Sequence, residues 1–436
     1  MKTCKSKPLN PFGIFLLVLS LLLTAGCAGP QRHVSEDPGI KAPHVATCPQ
    51  CPGRHSLPER IVLNLTENPS TSQAVAWRTW NRVHHPQAQI APVTASSLPD
   101  GGVQTLQAGS ERVGVGREGF VYHHSAVFRD LRPGTMYAYR VGADESWSEW
   151  NHFKTAEGGS RPFSFVYLGD PQEEVKSMCS RVFRAAYKKA PDADFWFFVG
   201  DLVDNGDRDE EWGELFYAFG WIPRTTPMIL LPGNHEYPDK RYVKGASFRL
   251  FPLWRPHFSL PENGPRGLEE TVYFVDYQGV RFVMLNGNER LEEQAAWLDG
   301  VLSKNPQAWT IAGIHQPVYS TAKYRDSSRL QELLVPIFDK YGVDLVLQGH
   351  DHTYCRTHKI RNGARVGENE KGTVYVISVS GPKFYGARTR HEDLMAKMDT
   401  GRQLFQVIHI DHDRLLYESL DVRGEIYDTF SLRKGR

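Results

Sequence analysis

The sequence predicts two bodies in series, an all-β sandwich followed by an α/β domain, on three observations. Short alternating runs separated by turn residues fill residues 59–157. Beyond residue 160, doubly apolar strands alternate with segments of helical spacing, and nearly every one of those strands ends in a polar cluster. A chain of 436 residues has room for both bodies and is too long for one comfortable core. Hydrophobic residues at 40% and charged residues at 23% exclude disordered, collagen-like and polytopic membrane classes. A formal charge of +1 supplies no long-range field to gather nucleic acid, so no nucleic-acid scaffold is expected. Six cysteines are too few for a fold built on disulfides.

Lys2, Lys5 and Lys7 precede an uncharged run from Leu9 to Ala25 with a leucine-rich centre and small residues after it. That is signal-peptide grammar, over residues 1–26. Leu23-Thr24-Ala25-Gly26-Cys27 resembles the bacterial lipoprotein box. The resemblance implies a lipid on Cys27, a membrane anchor, and a body outside the cytoplasmic membrane, in the periplasm or at the cell surface. A retained signal anchor is the alternative, since the run approaches the roughly 20 residues of a membrane span. Residues 27–58, rich in Pro, Gly and His without periodicity, read as a tether. Cys48 and Cys51 within it lack a partner pair at zinc-finger spacing, which leaves a local disulfide or an incidental pair. Cys179 and Cys355 stand alone and read as packed thiols.

The runs 61–65, 73–79, 122–128 and 136–141 alternate as half-buried strands do. After them, 163–168, 195–199, 228–231 and 345–347 are short and apolar on both faces, as buried strands are. Residues 173–189 and 289–303 have helical spacing, the latter with Leu291, Ala295, Leu298 and Leu302 on one stripe. The stretch after Gly372 returns to strands, over 373–380, 404–410 and 415–417, with hairpin turns between.

Five polar clusters close the buried strands: Gly169-Asp170-Pro171-Gln172, Gly200-Asp201-Leu202-Val203-Asp204, Gly233-Asn234-His235-Glu236, His315-Gln316-Pro317 and Gly349-His350-Asp351-His352. Each alone is a turn, a cap or a core histidine. In an α/β sheet, however, the carboxyl ends of strands are where ligands bind, so the five converge on one site. His350 and His352, two apart in an extended chain, face the same way.

In this order the clusters resemble the metallophosphoesterase (calcineurin-like) superfamily. Leu131-Arg132-Pro133-Gly134-Thr135-Met136-Tyr137 to Gly142, closing with Phe153-Lys154-Thr155 and joined to Trp77-Arg78-Thr79, resembles a fibronectin type III-like module of the purple-acid-phosphatase-like branch. The resemblance implies a four-layer α/β/β/α metallophosphoesterase-like domain over 160–436, preceded by the sandwich as a spacer or packing partner. It implies a dinuclear-metal-dependent phosphoric ester hydrolase, an acid-phosphatase-like phosphomonoesterase using a metal-bridging hydroxide. Asp170, Asp201 and His352 would hold one metal ion, and Asn234, His315, His350 and the bridging Asp201 the other. Asp201 bridges because its charge offsets the repulsion of two cations roughly 3.5 to 4 Å apart. Carboxylate, amide and imidazole donors suit iron, zinc or manganese rather than calcium. His235 matches the family's non-ligand histidine, which gives a hydrogen bond or proton to a substrate oxygen.

Three positions depart from the family pattern or lie open. Gln172 stands where many members carry His; its amide oxygen can ligate weakly or position a water or phosphate. Asp204 stands where true purple acid phosphatases carry Tyr, which removes the purple charge transfer and the specific Fe(III) preference. Asp204 is a further ligand or, in preference, the start of an Asp204-Asn205-Gly206 turn. Asp351 orients an imidazole or is a solvated turn residue. Arg325 and Lys383 are candidate phosphate clamps. The substrate expected is small and phosphorylated. A phosphodiesterase or nucleotidase on the same centre is the enzymatic alternative, and a non-enzymatic surface binding protein is the other.

Overall fold

The computed structural model describes residues 55–94, 102–243, 245, 248–322, 325 and 327–435. The signal peptide, Cys27 and the tether up to residue 54 lie outside the described residues. No helix among the described residues is long and apolar enough to cross a membrane.

The first strands are β1 (Glu59–Asn64), β2 (Gln73–Thr79), β3 (Gln87–Pro92), β4 (Gln104–Gln107), β5 (Gly109–Gly114), β6 (Phe120–Phe128), β7 (Met136–Ala143), β8 (Ser146–Trp147) and β9 (Asn151–Lys154). β1, β2, β6 and β5 are neighbours in one sheet; β4, β3, β7 and β8 make the other, with β9 on β7. Alternate residues point between them, among them Ile61, Val75, Trp77, Phe128, Tyr139 and Phe153.

The α/β body follows with β10 (Phe163–Leu168), α1 (Ser180–Lys189), β11 (Phe195–Phe198), α2 (Asp209–Phe219), α3 (Ile222–Thr225), β12 (Met228–Leu230) and α4 (Trp254–His257). Next come β13 (Tyr273–Tyr277), β14 (Val280–Leu285), α5 (Leu291–Leu302), β15 (Trp309–Ile314), α6 (Ser328–Tyr341) and β16 (Leu345–Gln348). The chain closes with β17 (Tyr354–Thr357), β18 (Ile360–Arg361), β19 (Ala364–Arg365), β20 (Val374–Ile377), β21 (Met395–Asp399), β22 (Leu404–Asp411), β23 (Arg414–Asp421) and β24 (Ile426–Arg433).

Two sheets face each other. Parallel β10, β11 and β12 are extended by the antiparallel β22, β23 and β24, opposite a sheet ordered β13-β14-β15-β16-β20-β17-β21. Phe165 and Phe195 of the first each meet Phe282 of the second edge-on at 5.2 Å. On the outside, Leu298 of α5 and Leu334 and Phe338 of α6 cover Val283, Ala312 and Val346. Val182 and Phe183 of α1 and Trp212 and Leu215 of α2 join the core of the first sheet. Helix, sheet, sheet, helix is the four-layer order the resemblance implies.

β1 runs parallel to β12, with Asn64 opposite Met228. The result is one ten-stranded sheet, β24-β23-β22-β10-β11-β12-β1-β2-β6-β5, crossing the boundary expected near residue 158. Ile61 and Leu63 enter the sandwich core while Val62 enters the α/β core, so a single strand serves both. Residues 54–436 accordingly form one compact unit.

The helix expected over 173–189 begins only at Ser180. Glu173 and Glu174 stand at φ 62° and 50°, and Val175–Cys179 wind as a π turn. Here the backbone serves the strand end instead of a helix, with Gln172 N donating to Asp201 O at 3.2 Å.

Candidate metal centre

Asp170 lies just beyond β10, Asp201 beyond β11, Asn234 and His235 beyond β12, His315 beyond β15, and His350 and His352 beyond β16. The fold brings them together. Donor atoms of Asp201, His315 and His350 lie within 4.8 Å of one another, as do those of Asp170, Asp201 and His352. Asp201 belongs to both groups, so the centre has two lobes with a shared carboxylate.

Backbone strain aims these side chains. Asp170, Asp201, His350 and His352 all have positive φ, between 49° and 72°, a region that non-glycine residues enter at a cost of roughly 1–3 kcal/mol each. The glycines clear the space. A Cβ on Gly233 would stand 2.1 Å from Asp201 Oδ1, and one on Gly349 2.2 Å from Asp170 Oδ2.

Glu236 fixes the strand ends from below. Its buried carboxylate accepts from Asp201 N at 2.9 Å, Leu202 N at 2.8 Å and Gly233 N at 2.7 Å. Asp201 Oδ1 accepts from His235 N at 2.9 Å, and Asp170 accepts from His350 N at 2.8 Å.

The ring orientations follow from their carbonyl partners. His315 Nδ1 donates to Val199 O at 2.8 Å, which turns Nε2 toward Asp201 Oδ2 at 3.0 Å and Asn234 Oδ1 at 3.3 Å. His350 Nδ1 lies 3.2 Å from that same Nε2. His352 Nδ1 donates to Lys383 O at 3.1 Å, leaving its Nε2 3.7 Å from Asp170 Oδ1.

Electrostatically the cluster is short of positive charge. Burial pushes Asp170 up to about 8, with Asp201 adding and His315 opposing. Burial disfavours a charged His315, yet Asp201 and Asp170 outweigh it and push the imidazole up to about 9. Burial acts against the Asp201 charge as well, but His315, His235 and His350 hold this carboxyl well below the usual range. His352 is pushed down to about 3, and His350 well below its ordinary value, by burial first. A proton on His315 is the cation this cluster can recruit for itself, and metal cations suit the same place. Gln172 adds a second sign: its Nε2 lies 2.8 Å from His352 Nε2, while its buried Oε1 has no hydrogen-bond partner. The donor set thus fits the pair of ions that the sequence implies.

His235 sits at the mouth, with 26% of its side chain exposed and Nε2 4.0 Å from Asp201 Oδ2. Its Nδ1 donates to Asp204 O at 2.6 Å. Burial would lower its pKa, but Asp201 and Asp204 together raise it. Asp204 joins neither donor group; its carboxylate lies 3.4 Å from His235 Nδ1 and takes Asn205 Nδ2 at 3.2 Å, so it belongs to the turn.

Asp351 meets neither expectation. It is fully buried, and its carboxylate accepts from Ser320 Oγ, Thr321 N and Thr321 Oγ1 as well as from Arg325 Nη1, none of them an imidazole. The chain here is not the extended strand expected: left-handed backbone at His350 and His352, not strand alternation, places the two rings in different donor groups and turns Asp351 toward Ser320 and Thr321. Arg325 also donates to His350 O at 2.8 Å, and Lys383 pairs with Glu173 at 2.6 Å, so both head groups already have partners beside the centre. Glu236 is the site residue that sequence reasoning left without a role. Its adjacency to Asn234-His235 was the available signal.

Comparison with known proteins agrees with this geometry. Residues 163–354 match the family described as calcineurin-like phosphoesterase, and residues 58–155 match the purple acid phosphatase N-terminal domain. Acid phosphatase type 7 of Mus musculus is 27% identical over 370 residues, covering 75% of this chain and 78% of the relative. Its Homo sapiens counterpart is 28% identical over 370 residues, covering 74% and 78%. Purple acid phosphatase PPD1 of yellow lupin (Lupinus luteus) superposes with a TM-score of 0.71 at 21% identity, over 87% of this chain and 74% of the lupin chain. The chain thus combines a calcineurin-like phosphoesterase domain with a purple acid phosphatase N-terminal domain, the make-up of a phosphatase.

Proposed function

We propose that the protein is an extracytoplasmic, lipid-tethered phosphomonoesterase working with two metal ions drawn from iron, zinc and manganese. The observation that carries the reading is the pair of donor groups sharing Asp201. Asp170, Asp201 and His352 would hold one ion; Asp201, Asn234, His315 and His350 would hold the other. Bound there, such ions lower the pKa of a coordinated water and neutralise charge on phosphoryl oxygens. The protein's own part is orientation and proton delivery. Val199 O and Lys383 O fix two imidazoles, Glu236 fixes the Asp201 backbone, and Asp204 O fixes His235. With Nδ1 held, His235 Nε2 is free to give its proton to the departing oxygen. The completeness of this set supports an enzyme over a binding protein. The tethered placement is supported by the Lys2 to Cys27 grammar alone.

The test is turnover of p-nitrophenyl phosphate against bis(p-nitrophenyl) phosphate after loading with manganese, zinc or iron in turn. The monoester is expected to be preferred, and His235→Asn to lower kcat by roughly 10²–10⁴. Preference for the diester would move the reading to a phosphodiesterase or nucleotidase. For the anchor, Cys27→Ser is expected to shift the protein from the membrane fraction to the soluble one; unchanged fractionation counts against lipidation.

A further inference from the structure

Four charged side chains meet where the sandwich joins the α/β body: Glu59 and Arg60 of β1, Arg78 of β2, and Asp209, the first residue of α2. Arg60 donates to Asp209 Oδ1 at 2.7 Å, to Oδ2 at 2.9 Å and to the Asp209 carbonyl at 3.0 Å. Arg78 Nη1 reaches the same carboxylate at 2.8 and 2.7 Å, and its Nε donates to Glu59. Arg60 stands at φ 51°, where the pairing of β1 with β2 slips, and this bulge belongs to the strand segment that carries its guanidinium. Arg60, Arg78 and Asp209 are buried, and desolvation, with Arg78 adding, pushes Arg60 down to about 10. Desolvation also acts on Asp209, but the two guanidiniums outweigh it and hold the carboxyl below its usual range. Well-packed apolar residues stabilise such a spot at least as well as buried charges do, so what the charges supply is a fixed geometry.

That geometry is passed on by the first turn of α2. Glu211 accepts from Asn205 N at 2.7 Å and from Asn205 Nδ2 at 2.8 Å, and Trp212 Nε1 donates to Gly206 O at 3.0 Å. Gly206 N donates to His235 O at 3.0 Å, and Asp204 O takes the His235 Nδ1 proton. The loop 204–206 is thereby held between α2 and the ring at the mouth.

We infer that Arg60 and Arg78, through Asp209, are positioning residues for His235, which makes the sandwich a working part of the active site although it contacts no reacting atom. This rests on the phosphatase reading and on His235 as its proton donor.

The test is a cycle on the full-length, metal-loaded protein with p-nitrophenyl phosphate: wild type, Arg78→Met, His235→Asn and the double variant. Misplacing a proton donor is expected to lower kcat of Arg78→Met roughly tenfold to a hundredfold, with KM changed by less than about twofold. In the His235→Asn background the same substitution is expected to change kcat by less than about twofold. Arg78→Lys, which keeps the charge, should recover part of the loss. An equal loss in both backgrounds, or full kcat in folded Arg78→Met, overturns the inference. Should Arg78→Met fail to fold, Glu211→Gln runs the same cycle one link closer to the loop, with the same outcomes deciding. A wild type inactive on both esters under every metal removes the phosphatase reading and this inference with it, a failure distinct from the others.

Discussion

Glu236 shows how much of a metal centre can depend on a residue that holds no metal. Both its oxygens accept from backbone N–H groups around Asp201, and the side chain is fully buried. Each buried N–H left without a partner costs about 1–3 kcal/mol. Glu236→Ala is therefore expected to lower the urea midpoint markedly and to weaken metal retention, checked by denaturant titration and by metal analysis after dialysis. A wild-type midpoint and full metal content would show that the strand end is held by other means. The ligands themselves were legible as a set, because each follows an apolar strand and a turn and the five clusters come in order, although none is diagnostic alone. Glu236 was not legible, since a carboxylate on backbone amides leaves no periodicity. Nor was Asp351, whose partners Ser320 and Thr321 lie about thirty positions upstream.

At the scale of elements, the decisive features are the strand ends and the glycines packed beneath the ligands. Gly200 stands at φ 88°, and a Cβ there would meet Gly233 N at 2.4 Å. Gly349→Ala would push a methyl group onto the Asp170 carboxylate, and Gly233→Ala onto that of Asp201. Each is expected to yield a folded protein with one or both ions missing, read by metal stoichiometry; full occupancy would mean that the carboxylates can shift aside. β10, β11, β12 and β16 were legible to within a residue, because burial on both faces leaves a run that needs no partner to be recognised, whereas β14 and β15, equally buried, were not singled out. The start of α1 was not legible either. The pattern over 173–189 is helical, but tertiary demand on Gln172 and the left-handed Glu173 and Glu174 overrides it until Ser180.

At the scale of the whole molecule, the ten-stranded sheet joins what the sequence presents as two bodies. The pairing of Asn64 with Met228 spans the chain between them, and no local pattern announces it. The charge cluster at this seam has a pH signature. The folded-state pKa of Asp209 is depressed, so its contribution to stability is present above the unfolded carboxyl value of about 3.9 and is lost as pH falls through the lower folded value. Asp209→Asn is expected to be less stable at neutral pH and to lose less of its stability between pH 5 and 3 than the wild type, on the order of that acid window. Urea midpoints across the range check it, and parallel curves would place the acid sensitivity elsewhere.

The direction of β1 within that sheet has a practical consequence. Because β1 runs parallel to β12, and its last residue pairs with the first of β12, residue 59 lies at the far end of the sheet from Asn234. At about 3.3 Å per residue the two are separated by roughly 30 Å. The antiparallel steps from β10 through β22 and β23 to β24 bring the end of β24 to that same far side. Both exits of the compact unit point away from the mouth. Coupled to a bead or a bilayer through either end, the enzyme should therefore meet dissolved substrate as freely as it does in solution, with an unchanged kcat/KM, whereas coupling through the loop that follows Glu236 should obstruct it.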